Sequence, residues 1–245
     1  MASNNAYGFC PLAAVPMRGE PSHRSEMVNQ LLFGDSLRIV ARQDEWVKVQ
    51  SLFDDYEGWV VTKQISLVDQ PVATDCVVAS ECQATLPPQL SNTLNNYKTI
   101  IPAGSSVRRE WLNQYPVEAT HSVDDTALSF LNAPYLWGGR THMGIDCSGL
   151  VQVVLKICGI NLPRDASQQV MCGVETSLPL SGCGDLAFFA NSEGRIVHVG
   201  ILLGDGAIIH ASGQVRVDRI DSRGIFREKE GDYTHSLHSI RRISL

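Results

Sequence analysis

The 245 residues carry a net charge of −6, with 44% hydrophobic and 19% charged side chains. That is the balance of a globular protein with room for one large domain or two ordinary ones, and its acidity argues against a nucleic-acid backbone as the main partner. No apolar run approaches a membrane span.

The first twenty residues, MASNNAYGFCPLAAVPMRGE, have neither a basic start nor a long apolar core, so no secretory signal is expected. The expected location is the cytoplasm, or an exported one if a leader has been removed. The seven cysteines, Cys10, Cys76, Cys82, Cys147, Cys158, Cys172 and Cys183, are odd in number and form no C-x-x-C pair. A reducing compartment fits them better than a disulfide framework, and neither a metal nor a cofactor is expected.

In chain order, MVNQLLFGDSLRIVARQDEWVKVQ places apolar residues near period two, with Gly34-Asp35 and Gln43-Asp44 as turn signals. DDYEGWVVTKQI adds another turn and strand. Residues 27–68 therefore read as a small β-barrel. Residues 70–118 are broken by Pro87-Pro88, Asn95-Asn96 and Pro116; IIPAGSSVRR reads as one more strand, turn and strand. This stretch is assigned to the first domain as an elaboration, giving domains at 1–118 and 119–245.

Asp124–Leu131 predicts a short helix with Ser122 as its N-cap. The loop APYLWGGRTHMGID follows. Leu150, Val153, Val154 and Ile157 fall at i, i+3, i+4 and i+7, which predicts a helix from Cys147 to Cys158; apolar Val151 and Leu155 make it buried on most sides. Gly159 suits the position after its end. LPRDASQQV predicts a second helix starting near Asp165 or Ser167. DLAFFA, IVHVGILLG, AIIHAS and QVRVDRI then read as strands. Helices first and a mostly antiparallel sheet afterwards make the fold α+β.

Cys147 stands at a helix start, where unpaired N–H groups and the dipole favour a thiolate. Cys158, inside the same helix, reads as an inert filler. A thiol nucleophile needs a base, and the base needs orienting. His198 lies in an apolar strand, and His210 follows it by twelve residues across a Gly204-Asp205-Gly206 turn. A hairpin brings them to neighbouring positions. One such histidine alone is a satisfied core residue more often than a base; two on paired strands plus the cysteine read as a Cys–His–His triad. His23, His121, His142, His235 and His238 lie in polar stretches and are read as solvated. Trp137 and Gly138-Gly139 are read as packing and turn residues. Asp146 reads equally as a helix N-cap or as a substrate contact, and Tyr56 as a barrel surface residue or as part of a pocket.

DCSGLV with a preceding YLWGGR, then GDLAFF, HVGILLG and IIHAS, resemble the NlpC-type cysteine peptidases of bacterial cell-wall metabolism over about residues 120–220. PSHRSEMVNQLLFGD and DDYEGWV resemble the bacterial SH3-like domain of a subgroup that cleaves γ-D-glutamyl-L-diamino acid bonds, over about residues 12–68. The resemblance implies an all-β SH3-like barrel followed by a papain-like domain of helices packed on an antiparallel sheet. It implies Cys147 as nucleophile, His198 as general base, His210 as the residue that orients it, and Tyr135 as an oxyanion contact. It implies Asp146, Ser148 and Ser167 as contacts to the N-terminal end of the peptide. Tyr56 and an acidic residue of the first domain, Glu26 in preference to Glu20, would close the far end of the pocket.

The implied substrate is a murein tripeptide or tetrapeptide with a free L-Ala amine, handled by a monomer. Lysine and diaminopimelate remain equal choices at the third position. The rival readings are an acyltransferase or D,L-peptidase on a related thiol fold, a non-catalytic wall-binding module, and, more remotely, a zinc hydrolase.

Overall fold

A computed structural model of the chain describes residues 6–90, 98–113 and 122–243. Asn95-Asn96, Pro116 and His121, to which the sequence assigned breakers and a solvated imidazole, lie outside the described residues. The chain divides into two units, Met1–Ala119 and Thr120–Leu245. No helix among the described residues is long and apolar enough to cross a membrane.

In the first unit, β1 (Tyr7–Phe9), β2 (Ala14–Arg18), β3 (Met27–Leu32), β4 (Ser36–Gln43), β5 (Trp46–Ser51), β6 (Glu57–Val61) and β7 (Ser66–Val68) form one sheet in the order β3-β2-β6-β5-β4-β1-β7. Inward residues at period two, among them Val15, Met17, Leu31, Leu37, Val47, Val49 and Val60, make its core. β1 and β2 were not read from the sequence. One is three residues long and the other contains Pro16, so neither shows a period-two run. At the Gly34-Asp35 turn, Gly34 has φ +88°, and a Cβ there would stand 1.6 Å from the Ser106 carbonyl oxygen, so only glycine fits.

The elaboration holds β8 (Cys76–Val77), β9 (Cys82–Thr85), β10 (Lys98–Ile101) and β11 (Ser106–Val107). Two strands do flank the turn in IIPAGSSVRR, but they do not pair with each other: β10 pairs with β9 and β11 with β8. Packing decides this. Ile101 and Val107 join Phe9, Phe33 and Trp111 in one buried cluster, whose three rings meet edge to face at 5.9–6.5 Å.

In the second unit, α1 (Val123–Leu128) begins at Ser122, whose hydroxyl accepts from Asp125 N–H at 3.3 Å. It ends one turn before Leu131. β12 (Arg140–Thr141) and β13 (Gly144–Ile145) form a small ladder ahead of α2 (Cys147–Ile157). Leu150, Val151, Val153, Val154 and Leu155 are all buried, as their all-round apolarity required. α2 closes with Gly159 at φ +86°, Ile160 N–H donating to Leu155 and Gly159 N–H to Lys156, a Schellman ending. Cys158 sits at the C-cap, half-buried. α3 (Ala166–Gln169) starts at Asp165 with a capping box to Gln168.

The remaining strands are β14 (Val174–Thr176), β15 (Leu186–Ala190), β16 (Ile196–Gly204), β17 (Ala207–Ser212), β18 (Gln214–Asp221), β19 (Gly224–Arg227) and β20 (Asp232–Arg242). They form an antiparallel sheet in the order β14-β20-β15-β16-β17-β18-β19, and β20 also pairs with β19, so the sheet closes on itself. Ala187, Phe189, Leu202, Ile208, Ile220, Ile225 and Ile240 fill one face. Helices packed on an antiparallel sheet, preceded in the chain by an SH3-like barrel, are the fold class expected above. β14, β19 and β20 were not anticipated, although DYTHSLHSIRR buries its residues at period two.

Candidate active site

The site starts at the junction of loop and helix. Asp146 is extended (φ −97°, ψ 178°) and its Oδ1 accepts from Gly149 N–H at 2.7 Å, which caps α2. The same carboxylate accepts from Gly138 N–H at 2.8 Å and from both terminal nitrogens of Arg164, at 3.0 and 2.6 Å. Ser148 Oγ donates to Asp146 and accepts from Arg164 Nη1 at 2.8 Å. Arg164 and Asp146 are both buried. The cap reading of Asp146 is therefore realised, as part of a buried ion pair. Arg164 had no role in the sequence analysis, although it stands in the quoted LPRDASQQV.

Capping places Cys147 in the first turn of α2, 6% exposed. The backbone N–H groups of Val199 and Ser148 favour its anion. Val199 directly follows His198, so β16 passes against the thiol. The helix start favours the thiolate through the Ser148 N–H, as expected, but it does not dominate. Burial dominates, Asp146 adds to it, and the thiol is pushed up to about 12 despite the two N–H groups and Arg164. Burial likewise pushes His198 well below its ordinary value, helped by His235 and His210. Burial thus disfavours the charged form of each group.

His198 and His210 are set by the β16–β17 hairpin, whose register runs Leu202↔Ile208 and Ile201↔Ile209. The next step places Gly200 opposite His210, and His198 lies two residues further along the same face. A Cβ on Gly200 would stand 2.9 Å from His210 Cβ and 2.8 Å from Ile208 Cδ1. The missing side chain is the gap across which the imidazoles meet: His198 Nε2 and His210 Nδ1 are 2.8 Å apart. Both rings are buried, at 5% and 0% exposed.

The relay continues past the expected triad. His210 Nε2 lies 3.0 Å from Asp218 Oδ2 on β18. Arg216 donates from Nη2 to Asp218 Oδ1 at 2.8 Å, with Nε 2.7 Å from Oδ2. Burial raises the Asp218 pKa, but the bonds from His210 and Arg216 outweigh it and bring the carboxyl down to about 2. Asp218 was not picked out from QVRVDRI; its signal was the charged Arg216-x-Asp218 alternation on the strand after His210. His235, read as solvated, instead stacks on His198, with ring centroids 4.1 Å apart and planes at 26°. His142 is not free in solvent either; it lies flat on Phe130 at 3.8 Å. His23 and His238 are exposed.

Tyr135 is half-buried, and burial, with the nearby Cys147 and Asp146 charges, pushes its phenol up to about 12. It is a proton donor at any working pH. Trp137 corrects another expectation: 57% of its surface is exposed, so it is not a packing residue. Gly138 does hold a turn, at φ +76°. Ser167 is exposed on α3. Tyr56 and Glu26 belong to the first unit. Tyr56 packs partly buried against the barrel core, and Glu26 is exposed just ahead of β3.

A thiol at a helix start, against a strand that carries a hydrogen-bonded imidazole, places the second unit among papain-like thiol hydrolases. The NlpC/P60 family model matches residues 132–230, and a model described as a bacterial dipeptidyl-peptidase Sh3 domain matches residues 17–65. A gamma-D-glutamyl-L-lysine dipeptidyl-peptidase of Bacillus subtilis is 30% identical over 212 residues, 74% of this chain and 71% of that protein. A Bacillus cereus protein of the same name is 28% identical over 254 residues, 86% of this chain and 75% of that protein. The crystal structure of an NlpC/P60 family protein from Bacillus cereus shares the fold, at a TM-score of 0.77 and 20% identity, covering 96% of this chain and 99% of that one. The chain belongs to the NlpC/P60 family of cysteine peptidases, with an N-terminal bacterial SH3-like domain.

Proposed function

We propose that this peptidase hydrolyses the γ-D-glutamyl-L-diamino acid bond of murein peptides whose N-terminal L-Ala is free, releasing L-Ala-D-Glu. His198 takes the proton of Cys147 as the sulfur attacks the γ-carbonyl. The oxygen that becomes negative is met by the Cys147 N–H and the Tyr135 hydroxyl. The tetrahedral intermediate collapses as His198 returns the proton to the leaving amine. A water, deprotonated by the same ring, then frees the dipeptide from the sulfur. His210 holds His198 in place throughout.

The observation that carries this reading is the 2.8 Å bond between the His198 and His210 rings, on the strand whose Val199 N–H favours the Cys147 anion. The bond to be cut is supported by the relatives named gamma-D-glutamyl-L-lysine dipeptidyl-peptidase. An enzyme restricted to a free L-Ala amine acts on released stem peptides and spares stems still linked to glycan. That fits recycling of cell-wall fragments in the cytoplasm.

The test uses L-Ala-γ-D-Glu-L-Lys and its N-acetylated form. Cleavage of the first alone supports the proposal, and equal cleavage of both overturns the amine requirement. Diaminopimelate in place of lysine, assayed alongside, settles the third position.

A further inference from the structure

We infer that Asp218 is a positioning residue: by accepting a hydrogen bond from the Nε2–H of His210 it fixes the proton order along the relay, so that Nδ1 of His198 is the bare nitrogen offered to the thiol. The inference rests on the thiol-peptidase reading above and deepens it.

The argument is one of donors and acceptors. An ionised carboxylate only accepts, and Arg216, doubly placed on Asp218, keeps it ionised. The 3.0 Å contact from Asp218 Oδ2 therefore requires a hydrogen on His210 Nε2. A neutral His210 then has no hydrogen on Nδ1. That nitrogen can only accept, so the 2.8 Å contact requires a hydrogen on His198 Nε2. Neutral His198 is left with a bare Nδ1.

His210 stays neutral because of what surrounds it. It faces His198 on β16, Arg216 and Asp218 on β18, and Arg227 on β19, whose Nε is 3.9 Å from the same carboxylate oxygen. His235 on β20 lies 5.7 Å away, ring to ring. Burial and the two guanidinium groups lower its pKa against the opposing pull of Asp218.

Substitution of the carboxylate gives an unusual order of effects. In Asp218→Asn, Arg216 offers donors only, so it claims the amide oxygen and turns the NH2 toward His210. That reverses the chain: His210 takes its hydrogen on Nδ1, His198 on Nδ1 as well, and the nitrogen facing the thiol can no longer accept. In Asp218→Ala nothing is reversed; the order is merely no longer imposed. A purely structural role predicts the near-isosteric Asn to be the milder change.

The experiment has two readouts. In 15N-histidine-labelled wild-type protein, long-range 1H–15N spectra should show His198 and His210 both as Nε2–H tautomers, assigned with His210→Asn and His235→Gln. In kinetics, Asp218→Asn should lower kcat about a hundredfold, with KM little changed, and Asp218→Ala about tenfold. An Nδ1–H tautomer on either ring of the wild type overturns the inference, and so does Asn proving milder than Ala. The tautomers need neither substrate nor a variant fold, so they stand even if the proposed peptide is not cleaved, and that failure would be separately visible.

Discussion

The ring of His235 lies on the ring of His198, 4.1 Å between centroids, and its pKa is pushed down to about 4 by burial, with His210 and Arg227 nearby, against the opposing pull of Asp218. His198 thus has a neutral neighbour at working pH. In an unfolded chain the same imidazole takes a proton near 6.5. Between those two values the unfolded state binds a proton that the folded state refuses. Stability therefore falls as pH drops from 6.5 to 4, by up to about 3 kcal/mol from this group. Urea unfolding midpoints at pH 7 and pH 4.5 should drop less in His235→Gln than in the wild type. Equal drops would remove His235 from the acid response.

Gly200 is predicted to matter as much as the residues it separates. In Gly200→Ala the new methyl must displace His210 or Ile208, at about 1–3 kcal/mol of overpacking. The imidazole contact should lengthen, and kcat should fall about tenfold or more, because a small misplacement of the base is costly. Retained stability with lost kcat is the expected pattern. Full activity would mean that the His198–His210 contact is not needed.

Cys147 reactivity should depend on His198 much more than on the helix. Burial holds the thiol near 12 even against the Val199 and Ser148 N–H groups and Arg164, so its ionisation needs a base that takes the proton. Iodoacetamide labelling of Cys147 at pH 7 should slow about a hundredfold or more in His198→Ala. An unchanged rate would show that the helix start activates the sulfur unaided.

The buried Arg164–Asp146 pair is predicted to be asymmetric under mutation. Arg164→Met leaves a buried carboxylate without its fork and should cost about 3–5 kcal/mol. Arg164→Met combined with Asp146→Asn should recover part of that loss, read from a double-mutant cycle on urea unfolding. Simple additivity would deny the coupling.

Much of this molecule is legible in its residues, for reasons that differ by element. α2 announces itself because six apolar residues, a capping aspartate and a closing glycine all agree. The β16–β17 hairpin is legible from its turn and from two histidines that polar chemistry must explain. β20 was missed because its alternation is built from Tyr, Thr, Ser and His, which hydropathy does not separate from loop, and β19 because four residues, GIFR, are too few to show a period. The same blindness left His235 in solvent and His142 off Phe130. Asp218 and Arg164 were missed for another reason: a charged residue in sequence looks exposed until its partner is known, and both partners lie across chain folds. Gly200 sat in plain view within HVGILLG, but only the hairpin register shows what its missing side chain makes room for.

The central claim is that the Cys147 sulfur, with His198 as its base, cuts the γ-D-glutamyl bond. Mass-spectrometric product analysis of L-Ala-γ-D-Glu-L-Lys, incubated with the wild type and with Cys147→Ala, tests it most directly. The account predicts L-Ala-D-Glu and free lysine from the wild type and intact tripeptide from the variant. Intact tripeptide from both, or the same products from both, would contradict it.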